Sequence, residues 1–390
     1  MSYRSVARRS VLTAGAGVAT AMVADTARAA AAPSEDEYGA VEDGDCVATG
    51  MIWHDVADWG VEGRAFDDTA SSYDRFPARA EETVSAQLWD LSRDSAGMLT
   101  RFRTDSPQVR VRYRLGRELI TRSTMAATGS SGVDIYARDA NSQERYVSTA
   151  RPEHPWLKDD LSMNYGVIKD MVPGMHEFTM HFPLRNQVLR MEIGVEAGAT
   201  FVPIAPRPEK PIVFYGTSIM HGSCASRPGM AIPALVGRRL GVPTVNLGFA
   251  GAGRMDEPVV DLLTELDAEV YVIDCLPNMH SRLVAERTEP LVHALNEAHP
   301  GTPILLVEDR TNQRAWLSPE VHDRHDGSRA ELRAAYLRLR QAGVENLRYL
   351  EGDRLLGDDG EATTDGSHPS DLGMVRYAGA YERALRPMIR

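Results

Sequence analysis

The chain has 390 residues, enough for one or two domains with a sizeable core. It is 43% hydrophobic and 25% charged with a net charge of −12, an ordinary globular composition whose acidic balance argues against a general nucleic-acid binder. The three cysteines, Cys46, Cys224 and Cys275, cannot form a disulfide framework and lack zinc-ligand spacing. Buried free thiols are the simpler reading, a Cys224–Cys275 bridge the alternative, and no metal or cofactor is expected.

Residues 1–32 read as a leader. Arg8-Arg9-Ser10-Val11-Leu12 precedes an Ala/Gly-rich, moderately apolar stretch, and Ala27-Arg28-Ala29 offers a small-residue cleavage site. This resembles a twin-arginine export signal, too short and small-residued for a membrane span, and predicts a periplasmic or extracellular protein.

Residues 45–200 read as an antiparallel β-sandwich domain. Val109 to Tyr113, Phe178 to Phe182 and Leu189 to Val195 alternate apolar and polar residues, as half-buried strands do, with turn clusters between them. Trp53, His54 and Trp59 suit core packing or a sugar platform. Residues 201–210, with Pro203, Pro206 and Pro208, read as a stiff linker.

From 211 to 390 the rhythm changes to apolar strands alternating with helices. The predicted strands are Ile212–Tyr215, Thr244–Leu247, Val270–Cys275, Ile304–Val307 and Leu347–Leu350. Asp256 is the expected cap of a helix burying Val259, Leu262, Leu263 and Leu266. Ser328 and Glu331 suggest a capping box for another, which stops at Gly343. The alternation implies an α/β doubly wound parallel sheet, whose ligands sit beyond the carboxyl ends of the strands.

Ser218 stands on a strand-to-helix turn, where a hydroxyl and backbone N–H groups can meet one carbonyl. His368 is the candidate base because Asp365, three residues earlier, can orient its ring and stabilise the imidazolium. The oxyanion donors expected are the N–H groups of Ser218 and Gly251 and the side-chain amide of Asn278. Arg227, Arg310 and His221 lie near these segments and are candidate substrate contacts. His322 to Asp326 reads as a solvated loop rather than a metal cluster.

In order and spacing, Gly216-Thr217-Ser218-Ile219, Gly251, Asn278 and Asp365 to His368 resemble the blocks of the SGNH/GDSL hydrolase superfamily. More narrowly, the chain resembles a two-domain bacterial branch with a GxSI serine motif and an N-terminal GxDLY motif, here Gly132-Val133-Asp134-Ile135-Tyr136. Thr217 replaces the acidic residue of GDSL, and Leu276-Pro277-Asn278-Met279 departs from the family's Gly-x-Asn-Asp. The resemblance implies a flavodoxin-like SGNH fold over 211–390 and a Ser218–His368–Asp365 esterase that needs no cofactor. An O-acetylated glycan or other small ester is the expected substrate. A lipid esterase or thioesterase, or a glycan-binding protein with a vestigial triad, are the alternatives.

Overall fold

The computed structural model describes residues 50–152 and 164–389; the expected leader and Cys46 lie outside the described residues. The N-terminal part contains β1 (Met51–Asp55), α1 (Ala86–Ser92), β2 (Leu99–Thr104), β3 (Val109–Leu115) and α2 (Ala127–Ser130). It continues with β4 (Val133–Arg138), β5 (Glu144–Ala150), β6 (Asn164–Ile168), β7 (His176–His181), β8 (Val188–Glu196) and β9 (Phe201–Ile204). These strands make two antiparallel sheets, ordered β1-β8-β3-β6 and β5-β4-β7-β2-β9. Val109, Val111, Tyr113, Met191 and Ile193 of the first sheet pack against Phe102, Ile135, Phe178 and Met180 of the second. Period-2 alternation thus buries one face of each strand in a shared core.

β9 includes part of the expected linker. Phe201–Ile204 pairs with β2, and Pro203 is accommodated because β9 is an edge strand that needs no donor on its outer side. Trp53 lies under Arg112, His54 stacks on Phe201 and the Trp59 indole donates to Thr100, so these aromatics are packing residues.

The C-terminal part runs β10 (Ile212–Gly216), α3 (Ser218–His221), α4 (Ile232–Leu240), β11 (Thr244–Gly248), α5 (Glu257–Thr264) and β12 (Val270–Asp274). Then follow α6 (Ser281–Ala298), β13 (Ile304–Val307), α7 (Pro319–Gln341), β14 (Leu347–Leu350) and α8 (Asp371–Leu385). The five strands are parallel and ordered β11-β10-β12-β13-β14, the flavodoxin-like order. Ile212 and Phe214 face a core shared with α4 and α8. Val213 and Tyr215 face the other core, with α5, α6 and α7. Burial on both faces explains why these strands are unbroken apolar runs. Phe66, Phe76, Leu88 and Leu91 of the N-terminal part join that second core. From Gly50 onward the chain is one compact unit. Among the described residues no helix is long and apolar enough to cross a membrane.

One helix start and one helix cap differ from expectation. α7 begins at Pro319 with Ser318 as its cap, so Ser328 is an interior, buried residue rather than a cap. Its first turns are polar and largely exposed, which hides them from hydrophobic periodicity. α5 does start after Asp256, but that carboxylate makes no cap bond and instead binds Arg287.

Candidate active site

β10 has a neighbour on each side, reached by chain connections running in opposite directions, and this is the switch point of the sheet. Three loops meet beyond its carboxyl ends: Thr217 to Gly222 after β10, Phe249 to Gly253 after β11, and Cys275 to Met279 after β12. Thr217 caps the single turn of α3 by accepting from the Ile219 N–H, and Gly222 ends it with φ 96°. Ser218 is therefore the first residue of that turn, at the sheet edge.

The Ser218 hydroxyl lies 2.8 Å from His368 Nε2, and His368 Nδ1 lies 2.8 Å from Asp365 Oδ2. Asp365 Oδ1 also accepts from the backbone N–H of Ser367 and of His368, at 3.0 and 2.8 Å. Partial burial pushes the Asp365 carboxyl up, but the His368 N–H and ring and the Ser367 N–H outweigh it and hold it below the usual carboxylate range. An ionised Asp365 accepting from Nδ1–H leaves Nε2 as the acceptor facing Ser218, the tautomer a general base requires.

The Phe249–Gly253 loop lies against the serine turn. A Cβ at Gly253 would run into the Gly216 carbonyl, so only glycine permits that approach. Gly251 has φ 73°, a left-handed position that also favours glycine. The Asn278 amide nitrogen is buried and makes no hydrogen bond among the described residues. A satisfied structural asparagine would have a partner for it; an unused donor at the sheet edge is what an oxyanion needs.

The three candidate substrate contacts all have partners within the fold. Arg227 donates to Asp134 at 2.8 Å and to the Tyr136 hydroxyl, and its guanidinium lies 3.9 Å from the centre of the Tyr146 ring. Asp134 Oδ2 also accepts from the Gly229 N–H at 2.8 Å. The Gly132–Tyr136 motif thus pins the segment that follows the serine turn. Arg310 is buried, paired with Asp309, and donates to the carbonyl and hydroxyl of Ser367, so it braces the loop carrying Asp365 and His368. His221 has no exposed surface; burial first, then Arg75 and Arg185, drive its pKa far down, and the neutral ring meets Arg75 at 3.3 Å. Cys224 and Cys275 are buried free thiols.

Several buried groups were not anticipated from sequence. Arg75 donates to four backbone carbonyls, of Leu91, Asp94, Asn246 and Gly248. Asp94 meets Arg117 at 3.0 Å and Arg185 at 3.6 Å. His325, expected in a solvated loop, turns inward from α7 to Asp309 at 2.9 Å, while His322, Asp323 and Asp326 are exposed.

Asp274, at the end of β12, is fully buried and accepts from the Tyr381 hydroxyl at 2.6 Å. Burial pushes its carboxyl up to about 7, with Asp309 adding to the rise and Tyr381 and Arg310 opposing it. Between the ordinary value of 3.8 and about 7, the folded chain holds this proton and the unfolded chain does not. Stability therefore falls as pH rises through that window. Asp274→Asn, which mimics the protonated acid, removes the slope. Urea melts at pH 4.5 and 7.5 should show the variant gaining on the wild type by up to about 3 kcal/mol, the part of the shift that falls between those two pH values. An unchanged difference would mean that Asp274 is ionised throughout.

A serine turn at the switch point of a flavodoxin-like sheet, facing an oriented imidazole, defines an ester hydrolase. Residues 209–386 match the GDSL-like lipase/acylhydrolase family, and residues 51–201 match the GxDLY N-terminus of Esterase_SGNH_hydro-type proteins. Among solved structures, a protein described as a GDSL-like lipase from Bacteroides ovatus ATCC 8483 is 26% identical with a TM-score of 0.81, covering 87% of this chain and 99% of its own. The salicylyl-acyltransferase SsfX3 from a tetracycline biosynthetic pathway is 20% identical with a TM-score of 0.67, covering 88% and 96%. A family two carbohydrate esterase from Cellvibrio japonicus is 12% identical with a TM-score of 0.55, covering 87% and 98%. The last two are likenesses of fold alone. No curated protein matches the chain.

Proposed function

We propose that this chain is an exported serine esterase that removes short acyl groups, O-acetyl above all, from carbohydrates. Ser218 attacks the ester carbonyl while His368 takes its proton. The oxyanion is held by the N–H groups of Ser218 and Gly251 and by the Asn278 amide. His368 then protonates the leaving alcohol, and water attacks the acyl-enzyme with His368 as base. Asp365 holds the ring in place and stabilises the imidazolium.

The observation that carries this reading is the unbroken hydrogen-bonded run from Ser218 through His368 to Asp365. In the proposed division of labour, residues 211–390 are catalytic, residues 45–200 buttress them, and residues 1–32 direct export. The carbohydrate substrate rests on analogy with the carbohydrate esterases that share the fold. It gains support from Trp316, which is 84% exposed, because a bare indole suits stacking on a sugar ring. Trp316 lies on the segment whose Gln313 N–H donates to Gly366, beside the Asp365–His368 loop.

Initial rates on p-nitrophenyl acetate, butyrate and octanoate test the acyl preference. The proposal predicts the highest kcat/KM on acetate, with acetylated oligosaccharides as better substrates still. A maximum on octanoate would favour a lipid esterase.

A further inference from the structure

One polar group beside the site has no role in the chemistry described. Cys224 lies on the loop after α3, and its thiol sits close to the Asp365–His368 pair. Ligating atoms of Cys224, Asp365 and His368 all lie within 4.8 Å of one another. The cysteine is held there at a conformational cost. Its φ is 73°, a left-handed angle that a residue with a Cβ rarely adopts. Glycine would occupy that position without strain, yet a thiol is presented to the carboxylate and imidazole instead. The hydroxyls of Thr124 and Thr364 also interact with it. A sulfur, a nitrogen and an oxygen donor converging in this way form a ligand set for a borderline or soft divalent cation, zinc above all. The cluster is reachable from solvent, since the side chains of His368 and Asp365 keep 29% and 30% of their exposure.

We propose that Cys224, Asp365 and His368 form an inhibitory site for zinc and similar thiophilic divalent cations, in which the metal takes His368 out of service as a base. The proton balance explains the inhibition. The metal bonds to Cys224 Sγ, whose proton leaves to water, to an Asp365 oxygen and to His368 Nδ1. The proton on Nδ1 is displaced to Nε2. Nε2 then carries a hydrogen toward Ser218 and can no longer accept one, so serine attack stops although Ser218 itself is untouched. Burial first, then Asp365, pushes the thiol up, and the metal must displace that proton to bind. Removing the metal restores the original tautomer, so inhibition is reversible.

The inhibitory consequence rests on the triad reading; the binding of metal does not, and the two are measured separately. The binding probe is cobalt(II) chloride added to the purified protein, read by the near-ultraviolet charge-transfer band of a cobalt–thiolate bond. The wild type should show the band and lose it on adding EDTA. Cys224→Ser and Cys224→Gly should not show it, whereas Cys275→Ser, altered at the other buried thiol, should. Cys224→Gly suits the left-handed backbone and supplies a folded test even if the serine variant is unstable. The activity probe is zinc chloride in a p-nitrophenyl acetate assay, each variant compared with its own zinc-free rate. Loss of a ligand should raise the half-inhibiting zinc concentration by more than the roughly 10- to 100-fold that removal of a supporting group costs a metal site. A wild-type protein without a cobalt–thiolate band, or a band that survives in both Cys224 variants, would overturn the site. A band without zinc inhibition would retain the site and overturn the triad-blocking mechanism.

Discussion

Ser218→Ala should lose ester hydrolysis by about 10⁴-fold or more in kcat, with KM little changed. The expectation follows from the site's geometry. The hydroxyl lies 2.8 Å from an imidazole that a carboxylate orients in turn. Alanine leaves that imidazole and the oxyanion donors in place, so a residual rate above that of water should persist. His368→Ala should lose nearly as much. The double variant should lose little beyond either single change, because the two residues act on one proton transfer. Rates on p-nitrophenyl acetate decide this. A Ser218→Ala loss of only a few fold would mean that another group attacks the ester.

Arg75→Met should cost about 3–5 kcal/mol of stability, read as a lowered urea midpoint. Arg75 is 1% exposed, and all its strong bonds are to main-chain carbonyls: Leu91 at 2.6 Å, Asp94 at 2.8 Å, Asn246 at 3.1 Å and Gly248 at 2.6 Å. Methionine fills similar volume but withdraws the donor from four buried carbonyls, of which that of Leu91 keeps a backbone partner, the Asp94 N–H. Lysine offers its donors from a single point and cannot reproduce the fork, so Arg75→Lys should recover little. The consequence extends to activity, since Asn246 and Gly248 lead into the loop bearing Gly251. Arg75→Met should therefore lower kcat as well as the midpoint. A variant with unchanged midpoint would show that water satisfies these carbonyls.

Legibility in the sequence followed burial pattern and locality. β10 to β14 could be read because strands covered on both faces are short apolar runs bounded by turn residues. Ile304–Val307 and Leu347–Leu350 fall where the hydrophobicity places them. α7 was half hidden: its first turns are polar and largely exposed, and the Ser328–Glu331 pair mimics a cap inside it. β9 was masked by Pro203, a residue that only an edge strand accepts. Within the site, Ser218, Asn278, Asp365 and His368 were visible because loop chemistry at strand ends leaves a local signature. Arg75, Asp94 and Asp274 were not, because their partners are main-chain carbonyls or residues distant in the chain. Arg227 and Arg310 were visible as cations near the blocks, but sequence proximity could not say that Asp134, Asp309 and Ser367 hold them.

A p-nitrophenyl alkylphosphonate tests whether Ser218 is the nucleophile. Such a reagent places a phosphonyl group where the acyl group would go and resists subsequent hydrolysis. After inactivation, digestion and mass spectrometry locate the label. One phosphonyl group per chain is expected, on Ser218, with activity lost in proportion to labelling and no labelling of His368→Ala on the same timescale. Inactivation with the label on another residue, or continued ester turnover by a chain fully labelled at Ser218, would contradict that role.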